Sequence, residues 1–210
     1  GCTMLGQILL VLLGLLGLAV LGLALAGIRY IPNNRIGIVE KHWSSKGSVK
    51  QGFIALSGEA GFQPNVLRGG LHYLIPIQYR VHIVPLVTIT QGKIGYIFAR
   101  DGQQLSPMQT LASNVTAKDF QDVTAFLTQG GQRGPQRQIL REGTYAINLA
   151  QFVVITEERV YYLALSRDDQ MVIENMTSVI KERKGFSPVV IKDNANQVVL
   201  VFDYNRREAL

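Results

Sequence analysis

The sequence predicts an α+β protein: an N-terminal transmembrane helix followed by a mainly antiparallel β domain with short helices. Three observations carry this. No Asp, Glu, Lys, Arg or His occurs before Arg29. Beyond it, short runs of branched apolar residues alternate with Gly and Pro, the texture of strands and turns. Two stretches break that texture with helical spacing and capping residues.

The first element is the span. Leu5 to Ile28 is Leu, Val, Ile, Ala and Gly apart from Gln7. As a helix it covers roughly 36 Å, more than the roughly 30 Å hydrocarbon core. The rest of the chain could hardly supply a core large enough to surround it. A cleaved signal peptide is the rival, since Ala24-Leu25-Ala26 resembles a cleavage tripeptide. No basic segment precedes the run, and it exceeds the roughly 7–15 residues of that class, so an uncleaved anchor is expected. Gly22 and Ala26 are spaced as small-x-x-x-small, which predicts a helix–helix contact face that Gly14 and Gly17 extend.

All 21 basic and 15 acidic residues follow the span. Arg29, Arg35, Lys41, Lys46 and Lys50 cluster behind it against Glu40 alone, and no Lys or Arg precedes it. The bias predicts a cytoplasmic soluble part on a single-pass cell-membrane protein, and a basic stretch able to meet anionic lipid. No basic stripe with interleaved aromatics runs along the chain, so nucleic acid is not an expected partner. Cys2 is the single cysteine. It excludes an intrachain disulfide, suits a reducing compartment and, at the membrane edge, is a candidate for lipidation.

Pro32-Asn33-Asn34 should break the helix as it leaves the bilayer. Strands are expected at Arg35–Glu40, Leu71–Pro76, Val81–Val84 and Ile94–Ala99, with a turn at Asp101-Gly102. A helix is expected over Lys118–Gln129, with Phe120, Val123 and Leu127 on one face, Thr116 as cap and Gly130 as stop. A second is expected over Arg167–Lys184. Ser166 caps it, and Asp168 and Asp169 sit at its positive end, with Lys181, Arg183 and Lys184 at its negative end. Val172, Ile173, Met176, Val179 and Ile180 form its apolar stripe, and Gly185 ends it.

An internal repeat underlies the β texture. Gly61-x-Gln63-x-x-x-Leu67-Arg68-x-Gly70 recurs 73 positions later as Gly134-x-Gln136-x-x-x-Leu140-Arg141-x-Gly143. Each copy is followed by an apolar run and preceded by an Ile-Gly strand, at Ile36-Gly37 and at Ile94-Gly95. The repeat predicts two related β-modules, over residues 29–92 and 93–165, behind an anchor at 1–28 and ahead of a helical segment at 166–210. Gly70 and Gly143 should make tight turns of the same shape. Arg68 and Arg141, each two residues ahead, are suited to tie those turns to a neighbouring oxygen.

Residues that carry chemistry are scarce. His42, His72 and His82 lack metal-ligand spacing. No nucleophile elbow or phosphate-binding loop appears. Gly130-Gly131-Gln132-Arg133-Gly134 reads as a loop because Pro135 removes a donor and no helix follows. Asp168-Asp169 and Glu157-Glu158 are adjacent pairs that diverge. Asn114-Val115-Thr116 and Asn175-Met176-Thr177 match the glycosylation pattern, which a cytoplasmic location makes coincidental. Neither an enzyme nor a cofactor is expected.

The string Ile36-Gly37-Ile38-Val39-Glu40, followed by Leu67-Arg68-Gly69-Gly70-Leu71-His72-Tyr73-Leu74-Ile75-Pro76, resembles the start of an SPFH (band 7, prohibitin-homology) domain. Arg68 stands where that family often has Gly. Phe120-Gln121-Asp122, Ala125-Phe126-Leu127, Gly130-Gly131 and Gly134-Pro135-Gln136 through Gly143-Thr144-Tyr145-Ala146-Ile147-Asn148 resemble the flotillin-like bacterial members. The resemblance covers most of residues 1–150. It implies a homo-oligomeric membrane scaffold whose SPFH domains pack into rings or cages and organise membrane microdomains or enclose membrane proteins. The alternative on the same fold is an adaptor subunit that regulates a membrane protease or another membrane-protein partner. Members of the family continue into a long Ala/Glu-rich coiled-coil helix that is not seen here. Arg206-Arg207-Glu208-Ala209-Leu210 are good helix formers, so a longer natural protein is expected.

Overall fold

The apolar stretch forms helix α1, Cys2–Ala26, of which Met4–Ala26 is long and apolar enough to cross a membrane and is not buried against the rest of the chain. The computed structural model describes residues 2–182, 190–192, 198–203 and 207–209. The helix ends earlier than expected. Its last residue is Ala26, and strand β1 (Ile28–Ile31) has started before Pro32 is reached. The backbone groups after Ala26 are taken by a second strand, so no helix breaker is needed there.

Five strands form the first module: β1, β2 (Arg35–Lys41), β3 (Gly61–Leu67), β4 (Gly70–Tyr73) and β5 (Tyr79–Pro85). β1 and β4 make a two-stranded antiparallel ribbon, and β3-β2-β5 make a sheet. The second module repeats this with β6 (Val87–Ile89), β7 (Gly95–Ala99), β8 (Gly134–Pro135), β9 (Gly143–Tyr145) and β10 (Phe152–Thr156). β6 pairs with β9, and β7 lies between β8 and β10. A further strand, β11 (Val160–Tyr161), pairs with β10.

The correspondence extends to register. Gly37 pairs with Leu67 and Ile83, as Gly95 pairs with Leu140 and Thr156. Lys41 pairs with Gly61 as Ala99 does with Gly134, and Ile31 with Gly70 as Ile89 does with Gly143. Side chains repeat too. The Gln63 amide donates to the carbonyls of Glu59 and Gly61, both at 3.2 Å. The Gln136 amide donates to Gln132 and Gly134 at 2.7 and 2.9 Å. The modules divide between β5 and β6, at Leu86, and not after residue 92. β6 belongs to the second ribbon.

The two modules stack through unlike faces. Ile36 opposes Val84 and Ile38 opposes His82, so these side chains share one face of the first sheet. Ile36, Ile38 and Val84 join one core with Ile97, Ala99, Phe152 and Val154 of the second sheet. In register, however, Ile36 and Ile38 correspond to Ile94 and Tyr96, which start on the other side of the second sheet. The contact is therefore front to back. Asn148, almost fully buried, clamps it by donating to the carbonyls of Gln63 and Pro64 at 3.0 and 3.2 Å. Asp101 Oδ2 accepts from the Phe53 and Ile54 amides at 3.1 and 3.4 Å.

The inserted helix is shorter than the sequence suggests. α2 is Val123–Thr128, and Asp122, not Thr116, caps it by accepting from the Ala125 amide at 2.9 Å. Lys118, Asp119 and Phe120 have φ of 48°, 54° and 61°. Such left-handed residues cost roughly 1–2 kcal/mol each. Burial of Phe120 against Phe126 and Phe152 offsets the cost. Gly130 ends α2 as expected, with φ 84°, and the Gly131 amide closes onto the Phe126 carbonyl at 2.8 Å.

α3 runs over Arg167–Glu182, capped by Ser166 Oγ, which accepts from the Asp169 amide at 3.1 Å. Of the described residues in its expected stripe, Ile173 packs on Val153 and Val160 and Val172 is exposed. A single sheet face meets the helix near its start, so neighbouring positions stay in solvent. The side chains of Met176, Val179, Ile180 and Lys181, and all of Arg183, Lys184 and Gly185, lie outside the described residues. Short strands β12 (Val190–Lys192), β13 (Val198–Asp203) and β14 (Glu208–Ala209) form a separate sheet.

Tyr96 lies on the outward face of the second sheet, where burial pushes its phenol up to about 12 from 10.0. The fold holds the neutral form. Its contribution to stability is present below pH 10 and lost as the pH rises through 12. Wild type should lose stability across that window relative to Tyr96→Phe, measured by denaturant unfolding at each pH. A difference that stays constant across the window rejects this.

Candidate membrane-proximal site

α1 passes into the domain without a linker. The Gly27 amide donates to the Ala24 carbonyl at 3.2 Å, and the Gly27 carbonyl accepts from the Leu74 amide at 2.9 Å. In β1 and β4, Ile28 faces Tyr73 and Tyr30 faces Leu71. A Cβ on Gly27 would stand 2.6 Å from the Tyr73 ring and 2.8 Å from the Leu74 carbonyl. The close approach of ribbon to helix end requires glycine there.

Directly opposed residues share a face, so Ile28, Tyr30, Leu71 and Tyr73 form one side of the ribbon. All four are exposed, at 48, 64, 74 and 61%. Ile75 and Ile77, just past β4, are exposed as well. Sequence reasoning missed these residues. The available signal was the alternation Ile28-x-Tyr30 immediately after the span, where aromatic residues favour the membrane interface.

The residues singled out in the sequence fall elsewhere. Gly14, Gly17 and Gly22 have open space at the Cβ position, and Ala26 is the last residue of α1. The side chain of Cys2 lies outside the described residues. Arg29, Arg35, Lys46 and Lys50 are exposed and Lys41 is half-buried, but they do not make one cluster. Arg35 and Lys41 occupy opposite ends of β2, roughly 20 Å apart. Lys41 and Lys46 turn onto the loop before β3, donating to the carbonyls of Gly58 and Ser57 at 2.9 and 2.7 Å.

Gly70 and Gly143 both take the expected left-handed φ, 130° and 146°. The arginines before them each reach a neighbouring oxygen, but of different kinds. Arg68 reaches Gln121 Oε1 at 3.5 Å, whereas Arg141 meets Glu142 at 3.2 Å. Their carbonyls are what the two turns share. His72 Nε2 donates to the Arg68 carbonyl at 2.7 Å, and the Tyr145 hydroxyl donates to the Arg141 carbonyl at 3.0 Å. A strand side chain two residues past the glycine points back at that oxygen.

On the far side of the second module, the Arg100 guanidinium is buried beneath the start of α3, 3.6 Å from Asp169. Burial lowers its pKa and the Asp169 carboxylate opposes the shift. An open cleft of about 450 Å³ lies alongside, lined by Phe98, Leu105, Arg133 and Pro135 among others. Among the described residues no group of three His, Cys, Asp or Glu could hold a metal ion. Comparison with models of known protein families, with curated proteins and with solved structures finds no match to this chain.

Proposed function

We propose that this chain is a membrane-anchored homo-oligomeric scaffold of the SPFH, flotillin-like type, which organises membrane microdomains or encloses membrane proteins. The front-to-back stacking of its two modules carries the reading. A contact between unlike faces leaves an unused face at each end of the stack. Repeated between subunits, such a heterologous contact builds rings or open arrays. The second sheet's outward face is only partly covered by α3, with Phe98 42% exposed. The span joined directly to β1 holds every subunit against the bilayer. In this arrangement, lipids and second copies of the chain are the partners.

Size and composition of the detergent-extracted protein test the reading. A large closed particle of one polypeptide, seen by mass photometry and electron microscopy, is the expected result. A monomer rejects the scaffold, and a stoichiometric second chain favours the adaptor instead. The basic residues after α1 support a cytoplasmic soluble domain. A Cys2→Ser, Lys46→Cys variant should resist a membrane-impermeant thiol reagent in intact cells and react once the membrane is permeabilised, because position 46 is exposed on the domain. Ready labelling reverses the orientation.

A further inference from the structure

We infer that the outward face of the β1–β4 ribbon is a second membrane contact, seated in the headgroup–acyl boundary of the leaflet from which α1 emerges. The inference rests on α1 spanning the bilayer, and it is independent of the scaffold's subunit number.

The molecule carries its own control. The two ribbons have the same pairing, with Tyr30 opposite Leu71 in the first and Thr88 opposite Thr144 in the second. Both pairs face outward and all four residues are exposed. The backbone therefore does not demand large apolar side chains at these positions, since the second copy has threonines. Ile75 and Ile77 differ from their counterparts in another way. Both are exposed, and the residues that correspond to them are Asn148 and Ala150, both buried. Apolar exposure is thus confined to the copy that adjoins the span.

Position identifies the occupant. Ile28 is two residues beyond the end of α1, and the Gly27–Leu74 hydrogen bond ties the second strand of the ribbon to the same point. A contiguous exposed apolar face marks an interaction surface. One that continues a transmembrane helix, and that carries Tyr30 and Tyr73 with their polar hydroxyls, matches the chemistry of the bilayer interface. Arg29, paired with His72 on the ribbon's opposite face, is exposed three residues beyond the end of α1.

Site-specific fluorescence in nanodiscs tests this on the full chain. With Cys2→Ser as background, an environment-sensitive dye is placed in turn at Leu71→Cys, Thr144→Cys and Leu16→Cys. Lipids carrying a nitroxide near the headgroup should lower emission at position 71 by at least about twofold, as for a probe roughly 5–10 Å into the boundary. Emission at position 144 should be unchanged. A Tyr30→Thr, Leu71→Thr chain, carrying the second ribbon's residues, should lose the quenching of a dye placed at Tyr73→Cys. Equal, weak quenching at positions 71 and 144 overturns the inference. So does a blue-shifted but unquenched dye at 71, which marks contact with a second copy. The dye at position 16 reports on α1 itself: quenching there by a deep nitroxide, without quenching at 71, leaves the anchor standing and removes only the ribbon contact.

Discussion

Phe152→Ala is expected to lower the unfolding free energy by about 3–5 kcal/mol. Phe152 is fully buried, and its ring lies 5.0 Å from Phe126 and 5.3 Å from Phe120, edge to face with both. The three rings come from β10, α2 and the left-handed turn before α2. Truncation leaves a void where the insertion meets the second sheet, and the turn at Lys118–Phe120 loses part of what holds it. Thermal unfolding of the full chain in micelles, followed by circular dichroism, should shift down by about 6–20 °C. A shift of only a degree or two would show that the insertion packs elsewhere.

The second large effect is expected at a matched pair, Gly37→Ala and Gly95→Ala. A Cβ on Gly37 would lie 2.6 Å from the Ile31 δ-methyl and 2.8 Å from Val81 Cγ1. On Gly95 it would lie 2.5 Å from the Ile89 δ-methyl and 3.3 Å from Val154 Cγ1. Ile31 and Ile89 are buried, so neither can swing away freely. Overpacking of this kind costs about 1–3 kcal/mol, partly offset by the roughly 0.4–1 kcal/mol that alanine gains by restricting the unfolded chain. Each variant should be destabilised, and by similar amounts, because the same isoleucine crosses the same glycine in both modules. If one variant is neutral and the other is severe, the two modules are not packed alike.

Turns and registers were legible in the sequence because the repeated glycines sit where the backbone needs them. Gly70 and Gly143 mark the same left-handed turn, and Ile36-Gly37 and Ile94-Gly95 mark the same crossing. Strands β1 and β3 were not legible. β1 is hidden at the end of an apolar run, and Pro64 disguises β3, a strand on the edge of its sheet. The helical spacing over Lys118–Gln129 was real only for its second half. Local periodicity could not anticipate that burying Phe120 against residues from two other elements outweighs three left-handed residues. The arginines do reach neighbouring oxygens, but which ones was not legible: backbone spacing sets which carbonyl a strand side chain reaches, whereas a long side chain takes whatever oxygen its surroundings offer.

By itself the sequence determined the apolar span, the strand-rich domain and the presence of two like units. Charge, hydropathy and glycine placement act locally and survive as pattern. Only the tertiary structure decided how the units meet, front to back, and which apolar residues remain outside. Ile28, Tyr30, Leu71 and Tyr73 are separated along the chain, and no local rule sends all four the same way. Pairing of β1 with β4 places them on one face, and burial against the rest of the domain is decided only when the modules stack.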